Sequence, residues 1–212
     1  MDGILVVKLG GSCASSPDFN RWLQAIERAS RPVVLVPGGG PFANVVRRYQ
    51  PRLGYDDEAA HHMAILAMEQ FGRALVSLGE RLVPAASLDE IHAAIAAGKI
   101  PVWMPAATAL AAPEIAQDWT VTSDSLAAWL AAGLPKASLL LIKQIDVPKD
   151  TTLDALAGAE IVDASFLAML HPTMSVSIAG PADVVLAGHQ FADGAIPGHP
   201  FTAERRMPVA AE

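Results

Sequence analysis

The sequence contains a single cysteine, Cys13, among 212 residues. No intrachain disulfide can form, so the fold must be held by its core, which suits a reducing compartment. Charge is also sparse: 17% of residues are Asp, Glu, Lys or Arg, against 52% hydrophobic. So little charge points to a sheet buried on both faces, or to apolar surface covered by a second subunit in a homo-oligomer. The balance is acidic, with a formal net charge of −7, and offers no basic face to nucleic acid. Long apolar runs are missing too. Nothing approaches the roughly 18 uncharged residues that a membrane-spanning helix requires, and no basic leader opens the sequence. The expected setting is the cytoplasm, with no membrane partner. A last absence is local: from 150 to 212 there is no lysine.

What the chain does contain is an alternation. Apolar runs of strand length occur at 4–9 (ILVVKL), 33–37 (VVLVP), 74–78 (ALVSL), 100–105 (IPVWMP), 138–143 (SLLLIK) and 174–179 (MSVSIA), with 183–188 (DVVLAG) a further candidate. Alanine-rich stretches of helical length lie between them. Phe19, Trp22, Leu23 and Ile26 recur at helical spacing, as do Ala60, Met63, Ala64, Ala67, Met68 and Phe71. Leu88, Ile91 and Ile95 do the same before Gly98 ends the segment. The pattern predicts an α/β fold, a three-layer αβα sandwich around a mainly parallel central sheet. One domain is expected over 1–193, with an irregular tail over 194–212.

In such sheets ligands collect at the carboxyl ends of strands. Lys8 sits near the end of the first strand pattern, and Gly10, Gly11 and Ser12 follow that pattern. Glycines let a ligand approach the backbone amides, and the lysine adds a charge that can follow a phosphoryl group. The segment matches neither GxGxxG nor GxxxxGK[ST], so the dinucleotide and Walker loops do not apply. A tight turn with a solvated lysine explains it as well. The second strand pattern runs into Gly38, Gly39 and Gly40 before a helix, an arrangement costly to order and rarely needed by a simple turn. A third junction, WTVTSDS at 119–125, precedes the helical run from Leu126 to Leu130. Thr122 or Ser123 suits an N-cap, and Asp124 favours the first helical turn. Asp124 could instead hold lysines against a phosphate.

The segments VVKLGGS, VVLVPGGGPFANVVR and VTSDSLAAWLA resemble the amino acid kinase family over most of the chain up to about Asp150. The resemblance implies a sandwich that transfers the γ-phosphate of ATP, with Mg²⁺, in a homodimer or larger assembly. By position, Lys8 resembles the lysine on the transferring phosphate, and Gly10, Gly11 and Ser12 its phosphate turn. Gly38, Gly39 and Gly40 match the acceptor loop, and Asp124 the aspartate that organises the catalytic lysines. Lys143, Gln144 and Asp146 fall on the nucleotide side. Many members carry a second lysine late in the chain, where this sequence has none. Lys143 is the first candidate to replace it, ahead of Lys149 and Arg205. Within the family, AHHMAILAMEQFG (60–72) and EIVDASFL (160–167) look like the small kinases of methanofuran or methylofuran synthesis. That likeness implies an aminomethylfuran phosphate acceptor converted to its diphosphate, with uridylate or a carboxylate as the alternative acceptor and a non-catalytic ligand-binding protein on the same fold as the alternative class.

Several residues are read both ways. His61 and His62 open the helix near the expected acceptor, with His62 the candidate contact; surface or core placement is the alternative. No HxxxH or HExxH spacing supports a metal held by the protein. Trp119 can stack on a flat acceptor with Thr120 beside it, or simply pack. Met63, Met68 and Phe71 read as core or subunit interface, with a pocket lining as the alternative, and Cys13 as a buried small hydrophobe or passive loop residue, with a reactive thiol as the alternative.

Overall fold

The computed structural model describes residues 3–202. The chain begins with β1 (Leu5–Leu9), a 3-10 turn (Gly11–Ser15), α1 (Phe19–Glu27), β2 (Val33–Pro37), α2 (Gly40–Leu53) and α3 (Asp57–Leu78). It continues through β3 (Leu82–Ala85), α4 (Leu88–Ala96), β4 (Ile100–Trp103), α5 (Ala106–Ala109), α6 (Ser123–Ala132) and β5 (Ser138–Ile142). It ends with α7 (Leu153–Gly158), α8 (Phe166–Met169), β6 (Ser175–Ala179), α9 (Val184–Ala192) and β7 (His199–Thr202). The strand order is β3-β4-β2-β1-β5-β6-β7. The pairings from β3 to β6 are parallel, and β7 runs antiparallel to β6.

Two apolar layers sandwich the sheet, and the alternation of β1 divides its residues between them. Leu5, Val7 and Leu9 face α1 and α9, packing with Trp22, Leu23, Ile26 and Phe191. Val6 faces Leu126 and Leu130 of α6 and Phe166 of α8. Lys8 has the parity of Val6, so its side chain leaves the sheet toward α6. Full burial of a large aliphatic or aromatic side chain is worth about 1.5–3 kcal/mol. With Cys13 free, this double core carries the stability.

Local signals fix the helices. Asp56 caps α3 by accepting from the Ala59 amide at 2.8 Å, and Ser87 caps α4 by accepting from Glu90 at 3.2 Å. Gly54 ends α2 in the left-handed conformation, φ 79°.

Three expectations are corrected. The run at 74–78 is no strand but the end of α3, because Ala67, Met68, Phe71 and Leu75 stay on one buried face until Gly79; β3 starts after that glycine. DVVLAG forms the start of α9. Val184, Ala187 and Phe191 are buried at helical spacing, while Val185 and Leu186 are 65% and 61% exposed. The stretch after Gly194 is not irregular throughout, since β7 pairs with β6 from Ser175↔Thr202 to Ile178↔His199. The remainder of that tail, including Arg205, lies outside the described residues.

Candidate active site

Register brings three strand ends level. Leu9 of β1 pairs with Pro37 of β2 on one side and Ile142 of β5 on the other, so the loops leaving β1, β2 and β5 open at one height beside the central strand. Here the sheet switches direction of growth, where open α/β sheets place their ligands.

The two glycine loops touch along their backbones. A Cβ added at Gly11 would lie 2.2 Å from the Gly40 nitrogen, and one at Gly38 would lie 2.2 Å from the Gly11 nitrogen. No other residue fits these positions without separating the loops. Gly40 has φ +57° and sets Pro41 in the first turn of α2.

Below the loops lies a buried charge cluster. Asp124, in the first turn of α6, meets Lys8 Nζ through Oδ1 at 2.8 Å and Lys143 Nζ through Oδ2 at 2.5 Å. Their side chains are 8% (Lys8), 6% (Asp124) and 12% (Lys143) exposed. Lys143 also donates to the Ile161 carbonyl at 2.5 Å. Burial alone would raise the Asp124 pKa, but the two lysines outweigh it and hold the carboxyl below its ordinary value. Burial and the neighbouring Lys8 push the Lys143 pKa down, against the pull of Asp124 and Asp163. Within the cluster two cations face the Asp124 carboxylate, with Asp163 acting on Lys143 from further out, and the lysine donors left over suit an anion. An ammonium has three donors, and Lys143 commits two, leaving one for a ligand.

The opposite wall belongs to α2, α3 and the loop before α6. Together these surfaces enclose a cleft of about 390 Å³, within the usual range of small-molecule sites. The Arg47 guanidinium lies 4.3 Å from the centroid of the Trp119 ring, and Trp119 Nε1 donates to Gln50 Oε1 at 2.6 Å. His61 is 4% exposed, lines the cleft, and has a buried Nε2 with no partner among the described residues. Burial lowers the pKa of its imidazole, opposed by the backbone and charge of Asp118.

Of the residues expected at the site, Lys8, Asp124 and Lys143 form the cluster, and Gly11, Ser12, Gly39, Gly40 and Trp119 line the cleft. Gly10 and Gly38 lie behind that surface: a Cβ on Gly10 would sit 3.1 Å from Lys8 Nζ, and the Gly38 amide donates to Leu9 O at 2.9 Å. Three residues fall elsewhere. His62 is exposed and outside the cleft, because one residue along a helix turns the side chain by about 100°; His61 occupies the inward position. Thr120 donates to Asp118 Oδ1 and accepts from Ser165 at 3.1 Å. Asp146 accepts from the Ala182 amide at 3.0 Å and braces the turn between β6 and α9. Cys13 is buried, accepts from Gln144 Nε2 at 3.0 Å, and has its thiol pKa raised by burial. Phe71 is core, Met68 is buried and also lines the cleft, and Met63 lines an apolar groove between α2 and α3.

A sequence profile described as the amino acid kinase family matches residues 3–151. The chain belongs to the amino acid kinase family. A curated relative, the [5-(aminomethyl)furan-3-yl]methyl phosphate kinase of Methanocaldococcus jannaschii, is 27% identical over 143 residues. That match spans 66% of this chain and 66% of the relative, just under two thirds of its length. Two solved structures share the fold. Uridylate kinase from Archaeoglobus fulgidus superposes with a TM-score of 0.61 at 16% identity, covering 93% of this chain and 99% of that one. An isopentenyl phosphate kinase gives 0.58 at 15% identity, covering 94% and 100%. All three are small-molecule kinases by name. Among the described residues no three His, Cys, Asp or Glu side chains group as metal ligands, and both Asp124 oxygens face lysines. The described residues therefore form no protein cage for Mg²⁺, and magnesium ordinarily reaches such sites on substrate phosphates.

Proposed function

We propose that this family member transfers a phosphoryl group from ATP to a small acceptor that already carries a phosphate, with an aminomethylfuran phosphate as the leading acceptor and its diphosphate as product. The observation that carries the reading is the buried Lys8–Asp124–Lys143 cluster set beneath two touching glycine loops. ATP supplies the γ-phosphoryl group; the chain supplies alignment and charge. An oxygen of the acceptor phosphate forms the new bond to the γ-phosphorus as the bond to the β,γ-bridging oxygen breaks, and ADP leaves with that electron pair. An ionised phosphate needs no general base, which agrees with a site whose central carboxylate is already committed to lysines. Lys8 and Lys143 neutralise charge on the transferring group, and the glycine amides hold its oxygens in line. Asp124 keeps two like charges close enough to act together.

On the acceptor side, Arg47 and the unpartnered His61 Nε2 suit a phosphate, and Trp119 suits a flat ring. The furan phosphate leads because the curated relative is named for that substrate. Uridylate and carboxylate acceptors remain the comparison set. We also read the chain as a homo-oligomer: Phe42, Val45 and Leu66, 40–46% exposed, line an apolar groove between α2 and α3. No helix among the described residues is long and apolar enough to cross a membrane, in keeping with the cytoplasmic setting we propose.

The test is ADP release with Mg²⁺ and a panel of aminomethylfuran phosphate, UMP, isopentenyl phosphate, acetylglutamate and aspartate. Release with a phosphate acceptor supports the reading. Release only with a carboxylate would replace it, and saturable acceptor binding with no ADP across the panel would make the protein a binding module. Light scattering of the purified protein, with Leu66→Glu for comparison, reads the subunit number; a monomeric wild type would remove the groove as an interface.

A further inference from the structure

The N-terminus of α6 carries Asp124, yet its capping residue does not cap it. Thr122 occupies the N-cap position with no bond from its own side chain to the helix. The bond that position would ordinarily make, accepting from the Ser125 amide, is made instead by Asp163. Asp163 Oδ2 accepts from the Thr122 amide at 2.9 Å, the Thr122 hydroxyl at 2.7 Å and the Ser125 amide at 3.0 Å, and Oδ1 accepts from the Ser125 hydroxyl. Asp124 lies between the two residues so gripped. Two positions before Asp163, the Ile161 carbonyl takes a hydrogen bond from Lys143. Val162 between them is 1% exposed and anchored in the core. A three-residue segment thus holds Thr122 and Ser125, on either side of Asp124, with one side chain and Lys143 with one carbonyl.

We propose that Asp163 is a positioning residue for phosphoryl transfer: by capping α6 from outside the helix it fixes Asp124 between Lys8 and Lys143. The inference rests on the kinase reading for its catalytic consequence and on geometry for its structural one. It also gives the lysine-free end of the chain a part in the site. That end supplies a carboxylate that grips the start of α6 and a carbonyl that anchors Lys143, the residue following β5. Removal of Asp163 should not unfold α6, because Thr122 can turn its own hydroxyl onto the freed Ser125 amide. The helix survives with its first turn shifted, and Asp124 moves relative to the lysines.

Asp163→Asn and Asp163→Ala are compared with wild type in two assays. In steady-state kinetics kcat should fall between about 10-fold and 100-fold, as expected for a misplacement near 1 Å, with both KM values changed less than about threefold. The second assay follows Lys143 by NMR of its side-chain nitrogen across a pH titration, assigned with Lys143→Arg. Lys143 faces Lys8 from β1, Asp124 from α6, Asp163, and Cys13 from the 3-10 turn. Losing the Asp163 charge removes one of the influences that keep it protonated, so its titration should move to lower pH, and the alkaline limb of kcat with it. Unchanged kcat and an unchanged Lys143 titration would overturn the proposal. A wild type that releases no ADP with any acceptor would sink the kinase reading, and the NMR titration would still decide whether Asp163 holds the cluster. If both variants fail to fold, Ser125→Ala, which removes the hydroxyl bond to Asp163 but keeps its charge, must lower kcat in the same direction at smaller size with both KM values little changed, or the assignment falls.

Discussion

Asp124→Asn removes one negative charge from between two ammonium groups while leaving the side chain's shape almost unchanged. At an effective dielectric of about 20, unit charges about 3 Å apart attract by roughly 5–6 kcal/mol. Two such contacts, at 2.8 and 2.5 Å, would outweigh the whole stability of many domains, about 5–15 kcal/mol. The variant has an escape that limits the loss: Lys143 can release its proton. Against an unfolded value of 10.5, holding one lysine neutral at pH 7 costs about 5 kcal/mol, from roughly 1.4 kcal/mol per pH unit. At pH 9 the same ceiling is about 2 kcal/mol. The expected deficit at pH 7 is therefore about 3–5 kcal/mol, in the range for breaking a buried pair by removing one partner, and it should at least halve by pH 9. The sign follows from proton counts. Between a lowered folded pKa and 10.5 the unfolded chain binds more protons, so stability rises with pH, and it rises further for the variant whose Lys143 is lowered more. Urea unfolding of both proteins at pH 7 and 9 measures it. A deficit below about 1 kcal/mol, or one equal at the two pH values, would refute the charge-cluster argument.

Lys8→Ala should reduce kcat by about 10²–10³-fold and leave the circular dichroism spectrum unchanged, since Asp124 keeps Lys143. Gly38→Ala places a methyl 2.2 Å from the Gly11 nitrogen; thermal unfolding should report a loss of about 1–3 kcal/mol, and a neutral result would mean that the loops are not in contact. His61→Ala should raise the acceptor KM about fivefold to tenfold through one lost hydrogen bond, whereas His62→Ala should stay within twofold in the same assay. The lowered pKa of Asp124 contributes stability that is complete above its ordinary value of 3.8 and is lost as pH falls through the folded value. Acid titration of stability should therefore show a loss beginning near pH 4 that Asp124→Asn lacks.

Much of this arrangement was legible in the sequence because local pattern and ligand chemistry coincide there. The apolar run into Lys8, the glycines after both strands and Asp124 at a helix start each announce a strand end or a helix start, and register did the rest. ALVSL and DVVLAG misled because short apolar runs carry no period of their own; only the continuation of a buried face into α3, and the exposure of Val185 and Leu186 in α9, separates helix from strand. The choice between His61 and His62 was within reach of helical phase, since His61 shares a face with Ile65 and Met68, both buried. Asp163 was out of reach. Its partners are 38 and 41 positions away, and nothing in EIVDASFL marks a carboxylate that caps a distant helix. Asp146 stood at the right strand end, but its carboxylate turned to an amide of the next loop.

The contact between the Gly11 and Gly38 backbones behaves as a gauge block. Its thickness is set by main-chain van der Waals radii, which no side-chain substitution elsewhere can alter. On the kinase reading proposed above, the separation between the donor and acceptor halves of the cleft is thus decoupled from the side chains of α2 and α3 proposed to meet the acceptor. On that reading, exchanging Arg47, His61 and their neighbours should admit a different small phosphate while the spacing of the two glycine loops stays as it is. For an engineer, substrate range and transfer geometry are two separate dials on this chain.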